Sequence, residues 1–170
     1  MPLHLIAAFR AFHVLAGALW VGGAFINVMF VVPAVQGAGP AGGAVMRQLV
    51  QVRRMPQIIN AIMGINVLSG LALYAWASSG FQPSWITSPS GATFTLGAAL
   101  ALASVVYSLV FVKPALDRIG KLGAAIGAGP PTPAQGSEMA ALQARLRRIG
   151  MVGIWLLLLA TVAMAVARYV

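Results

Sequence analysis

Residues 149–167 read IGMVGIWLLLLATVAMAVA, nineteen residues without a charge. A helix of that length rises ~28 Å, close to the ~30 Å hydrocarbon core of a bilayer. The run does not alternate apolar and polar side chains, so a membrane strand is a poor reading. Three more stretches have the same character, at 11–32, 56–77 and 92–112. The fold class that follows is all-α, a four-transmembrane-helix bundle in one membrane domain over 1–170. Its helices are expected at about 3–34, 55–77, 92–115 and 139–168. The first block is read as a permanent span rather than a signal peptide. It is too long, and Asn27 and Pro33 stand where a small-residue cleavage site would belong.

Composition agrees. Hydrophobic residues make up 60% of the chain and charged residues 8%, against ~25% charged in a soluble domain. The net charge of +9 does not point to nucleic acid, because the basic residues sit at the ends of apolar blocks, where they anchor and orient helices. There is no cysteine. Disulfides, thiolate metal sites, iron–sulfur clusters and c-type haem attachment are thereby excluded.

Charge placement sets the expected topology. The loop after the first span holds Arg47, Arg53 and Arg54, and the loop after the third holds Lys113, Arg118, Lys121, Arg145, Arg147 and Arg148. The loop at about 78–91 holds no charge. The positive-inside rule makes the basic loops cytoplasmic and puts both termini outside, as expected for a bacterial inner membrane. Within the long loop 113–148, Gly127 to Gly136 reads as a flexible connector, and Ser137-Glu138 reads as the start of the fourth helix.

A weak repeat divides the chain. Phe30-Val31-Val32-Pro33-Ala34-Val35 parallels Phe111-Val112-Lys113-Pro114-Ala115-Leu116, and Val52-Arg53-Arg54-Met55 parallels Leu146-Arg147-Arg148-Ile149. Two tandem helical hairpins of equal orientation would give this pattern. So would convergent helix-end chemistry.

The first span carries the candidate site. Arg10, His13, Gly17, Trp20, Ala24 and Asn27 recur every three or four residues and share one face. His13 is the only histidine within a span, and an ionisable residue there is a functional candidate by default. Imidazole is the usual haem-iron ligand in helical bundles. A neutral histidine bonded to a neighbour's backbone or hydroxyl is the plainer role. Arg10 and Arg168 stand at the outer level, placed either to bind haem propionates or to snorkel to the interface. Gly17 permits close approach of a helix or a flat ligand. Trp20 stacks on a macrocycle or fills the core.

Across the repeat, His13 falls on Phe94 and Trp20 on Ala101, so one chain offers one in-membrane imidazole. A bis-histidine haem would need a second chain in a homodimer. Met29, Met63, Met151 and Met164 are the other candidate ligands, although methionine more often packs. Gln57, Asn60 and Gly64 share a face of the second span, with Asn66 and Gly70 on an adjacent one. Such amides bind other helices or line a quinone pocket. Trp76 and Trp85 read as interface aromatics. His4 is off the His13 face. Asp117 and Glu138 are the only carboxylates, which leaves hydrolytic chemistry without paired acids.

Ala11-Phe12-His13-Val14-Leu15-Ala16 followed by Trp20-Val21-Gly22-Gly23 resembles the opening helix of CopD-like and HemJ-like membrane proteins. Arg53-Arg54-Met55 resembles the basic start of the second helix in HemJ-like proteins, and Met164-Ala165-Val166-Ala167-Arg168-Tyr169 is similar to the CopD-like ending. The resemblance covers about the first 75 residues well and the rest loosely. It implies a b-type haem on His13. HemJ-like proteins carry a lysine and a Tyr-His pair on the third helix. This chain has Thr93, Thr95 and Tyr107-Ser108 there, so the resemblance carries to the haem rather than to protoporphyrinogen oxidation.

The expected function is therefore a membrane haem b protein with His13 as axial ligand. Electron transfer with a redox partner or quinone, a haem-dependent oxidoreduction, and haem handling all fit. A CopD-like copper transporter and a cofactor-free accessory subunit are the alternatives.

Overall fold

The computed structural model describes residues 2–127 and 129–170, and these contain helices and no strand. Four helices are long and apolar enough to cross a membrane: α1 (Leu3–Gly37), α2 (Met55–Ala77), α3 (Pro89–Ile126) and α4 (Pro133–Tyr169). The protein is an integral membrane protein with an all-α, four-helix architecture. Two short helices, Pro40–Arg47 and Pro83–Ile86, lie in the connections.

Local chemistry explains where the helices begin. Pro89 occupies the first turn of α3, and the Ser88 hydroxyl accepts from the Gly91 amide at 3.1 Å. At α4 a reciprocal capping box forms: Thr132 Oγ1 accepts from the Gln135 amide at 3.3 Å, and the Thr132 amide donates to Gln135 Oε1 at 2.9 Å. Because that box satisfies the orphan amides of Thr132 and Gln135, α4 starts at Pro133 and not near residue 139. Ser137 is inside the helix and donates to the Ala134 carbonyl at 2.8 Å. Likewise α3 runs to Ile126, past the expected end near 115. The long loop is thus largely helical, and the Gly/Pro cluster separates two helices that extend beyond the apolar segment.

Two π-turns occupy matching places in the two halves, while a third, Gln48–Val52, has no counterpart in α4. Asn27–Val31 and Ser108–Val112 each widen their helix just before Pro33 and Pro114. Proline has no N–H and its ring crowds the preceding turn. The wider turn relieves this, with the Val32 amide bonding to the Asn27 carbonyl and the Lys113 amide to the Ser108 carbonyl. Packing is also by hairpin: α1 lies mainly on α2, and α3 mainly on α4. Small residues let the second pair approach closely. A Cβ on Gly97 would stand 2.8 Å from Met164 Cγ and 3.2 Å from the Ala160 carbonyl oxygen. The α4 core face is Ile154, Leu157, Ala160, Ala163 and Ala167. Large apolar side chains such as Phe12, Val14 and Leu68 point outward, as a lipid solvent requires.

Candidate functional site

His13 lies on α1 opposite Asn66, Ser69 and Gly70 of α2. Its Nδ1 is 2.9 Å from the Asn66 carbonyl oxygen. A carbonyl only accepts, so Nδ1 carries a proton, which in the Nδ1–H tautomer leaves the ring's lone pair on Nε2. Ser69 Oγ stands 3.4 Å from the same nitrogen and itself donates to the Ile65 and Asn66 carbonyls at 2.5 and 3.1 Å. The Asn66 amide returns the contact, Nδ2 donating to the His13 carbonyl at 2.8 Å. Among the described residues nothing hydrogen-bonds to Nε2.

Two glycines make this exchange possible. A Cβ on Gly70 would sit 2.7 Å from His13 Cε1, and one on Gly17 would sit 2.9 Å from Asn66 Nδ2. Each helix therefore offers a polar residue and, one turn on, a glycine that receives the other helix's polar side chain. His13 is half-buried, while Asn66 and Ser69 are buried. Asn66 is eleven residues from either end of α2, about 16 Å at helical rise. The imidazole is consequently near mid-span, deeper than its single-turn distance from Arg10 suggests.

The remaining candidates are distributed as follows. Gly17 is filled by the Asn66 amide and Trp20 is buried in the bundle. Arg10 is exposed, one turn from His13 toward the N-terminus. Arg168 is exposed on the terminal turn of α4, which packs on α3 and not on α1, and its guanidinium lies 5.7 Å from the Tyr169 ring centre. The structure does not bring Arg168 to the His13 face. Gln57 and Asn60 are exposed, and their side chains bond to no other helix among the described residues. Among the described residues, no three His, Cys, Asp or Glu side chains gather to hold a metal ion.

Phe94, the repeat counterpart of His13, stacks on Trp85 with centroids 6.3 Å apart, and Tyr74 meets the same Trp85 edge-on at 5.4 Å. Tyr74 also bonds to Thr95 at 2.6 Å. The second hairpin thus uses its matching position for an aromatic cluster that ties α2 to α3. Ser69 is the one residue of the site that sequence reasoning did not single out. Its signal was present as Asn66-x-x-Ser69-Gly70, which puts hydroxyl, amide and glycine within one turn.

No protein-family model matches the chain, and neither a curated protein nor a solved structure is similar to it.

Proposed function

We infer that the protein binds a b-type haem in the membrane, with His13 Nε2 as an axial ligand of the iron. One observation supports this reading above the others. Nδ1–H is held by the Asn66 carbonyl, while Nε2, within a membrane-spanning helix, has no hydrogen-bond partner among the described residues. Metal-ligating histidines are oriented by this kind of bond from the other ring nitrogen, and an unsatisfied nitrogen in an apolar medium is costly. The residues therefore fit the group on the imidazole side.

In this reading Asn66 fixes the tautomer and ring plane, and its carbonyl increases the basicity of Nε2. Gly70 lets the ring lie against α2. Arg10, one turn from His13 toward the N-terminus, would meet a propionate directed to that side. When bound, the haem supplies one-electron chemistry at a potential tuned by its ligands and by burial. The cytoplasmic side is the end rich in arginine and lysine, by the positive-inside rule.

The test is a pyridine haemochrome assay on detergent-purified protein from haem-replete cells. About one b-type haem per chain supports ligation within a protomer, and one per two chains supports His13 from two copies on one iron. A second reading, His13 as a purely structural interhelical bond, is favoured by the filling of the Gly17 face by Asn66. Colourless protein would select it, and bound copper without haem would instead favour copper transport.

A further inference from the structure

A cleft of about 340 Å³ opens between α1 and α4 at the basic end of the bundle, far from His13, lined by Val28, Met29, Pro33, Met151, Arg147 and Arg148. Its walls combine two chemistries: apolar side chains along the spanning segments, and two consecutive arginines, Arg147 and Arg148, at the basic end. We propose that this cleft binds an anionic phospholipid, the acyl chain against Val28, Met29 and Met151 and the phosphate against Arg147 and Arg148.

Several features converge on this occupant. Nine of the eleven Lys and Arg residues lie at this end, along with both carboxylates. Those carboxylates are engaged elsewhere, Asp117 with Lys113 at 2.8 Å and Glu138 with Arg118 at 3.4 Å. Arg147 and Arg148 are exposed and have no ion-pair partner among the described residues. They directly precede the uncharged run 149–167, so they stand at headgroup level, where each basic residue adds attraction for anionic lipid. The α1 wall is shaped by the π-turn Asn27–Val31 and by Pro33, and Gly150 draws α4 onto Val28, to which a Cβ there would come within 3.2 Å. An acyl wall and a paired cationic mouth suit an amphiphile. A free anion would use only the mouth.

Native mass spectrometry of the full chain tests the proposal, titrating micelles with phosphatidylglycerol or with phosphatidylcholine of the same acyl chains. The wild type should retain phosphatidylglycerol preferentially. Arg147→Gln/Arg148→Gln should weaken that retention about thirtyfold. Arg53→Gln/Arg54→Gln removes the same charge at the same end but outside the cleft, and should keep it. Equal loss in both double variants would show only a diffuse field and overturn the site. Equal retention of the two lipids would also overturn it. Displacement of the bound lipid by millimolar inorganic phosphate would reassign the mouth to free anions and defeat the lipid assignment. Persistence of the lipid supports it.

Discussion

Gly70→Ala is the sharpest perturbation of the α1–α2 seam. The new methyl would lie 2.7 Å from His13 Cε1, whereas ordinary contact begins near 3.4 Å, so the ring must retreat by about 0.7 Å. The imidazole is rigid and its Nδ1 is committed at 2.9 Å to the Asn66 carbonyl. A retreat along that bond stretches it to about 3.6 Å, outside hydrogen-bonding range. The lost bond costs about 1 kcal/mol and the overpacking about 1–3 kcal/mol. Gly64 supplies the control on the same helix, since a Cβ there meets nothing within 4 Å. Gly64→Ala should be neutral or stabilising by about 0.5–1 kcal/mol, from the helix preference of alanine alone. Equilibrium unfolding in mixed dodecylsulfate micelles reads both. Opposite signs for the two alanines support the seam. A Gly70→Ala protein as stable as Gly64→Ala would refute the reasoning, because the ring would then have room that the structure denies it.

Other consequences follow from the same geometry. Asn66→Ala removes the 2.8 Å bond to the His13 carbonyl but keeps its own backbone acceptor. It should destabilise by about 0.6–1.7 kcal/mol, the range of interhelical bonds in membranes, on the same unfolding assay. Histidine ¹⁵N spectra of a haem-free sample in a His4→Gln background should show a protonated Nδ1 and an unprotonated Nε2 for His13, and the opposite tautomer would remove the basis for ligation through Nε2. Tyr74→Phe loses the 2.6 Å bond to Thr95 and should cost about 0.5–1.5 kcal/mol, with the aromatic contacts retained. Single cysteines at Ser84 and Ala124 should label from opposite sides of intact cells or vesicles, Ser84 from outside. Labelling from the same side would break the four-span topology.

The four spans were legible because helix length and bilayer thickness are matched quantities, and long uncharged runs leave little choice. Helix ends were less so. Ser137-Glu138 looks like a start signal, but Thr132 with Gln135 satisfies more backbone donors. A local pattern does not reveal which of two caps wins. In the candidate site, the spacing put Arg10, His13, Gly17 and Trp20 on one face but left their neighbours unknown. Gly17 turned out to receive Asn66, Trp20 to fill the bundle, and Arg168 to belong to the α3–α4 pair. Such pairings depend on the register between two helices, and a single helix's periodicity carries no register. Ser69 escaped notice because serine in a span is ordinarily satisfied by its own helix, and its hydroxyl does bond Ile65 and Asn66. Its approach to His13 exists only across the seam.

The central claim is that His13 Nε2 ligates haem iron, and ligand rescue tests it most directly. Reduced-minus-oxidised spectra would be recorded for wild-type protein, for His13→Ala, and for His13→Ala grown and purified with imidazole. The account predicts a b-type spectrum in the wild type, its loss in the variant, and its return with imidazole occupying the space of the missing ring. A His13→Ala protein that keeps the wild-type haem content and spectrum without imidazole would contradict the account.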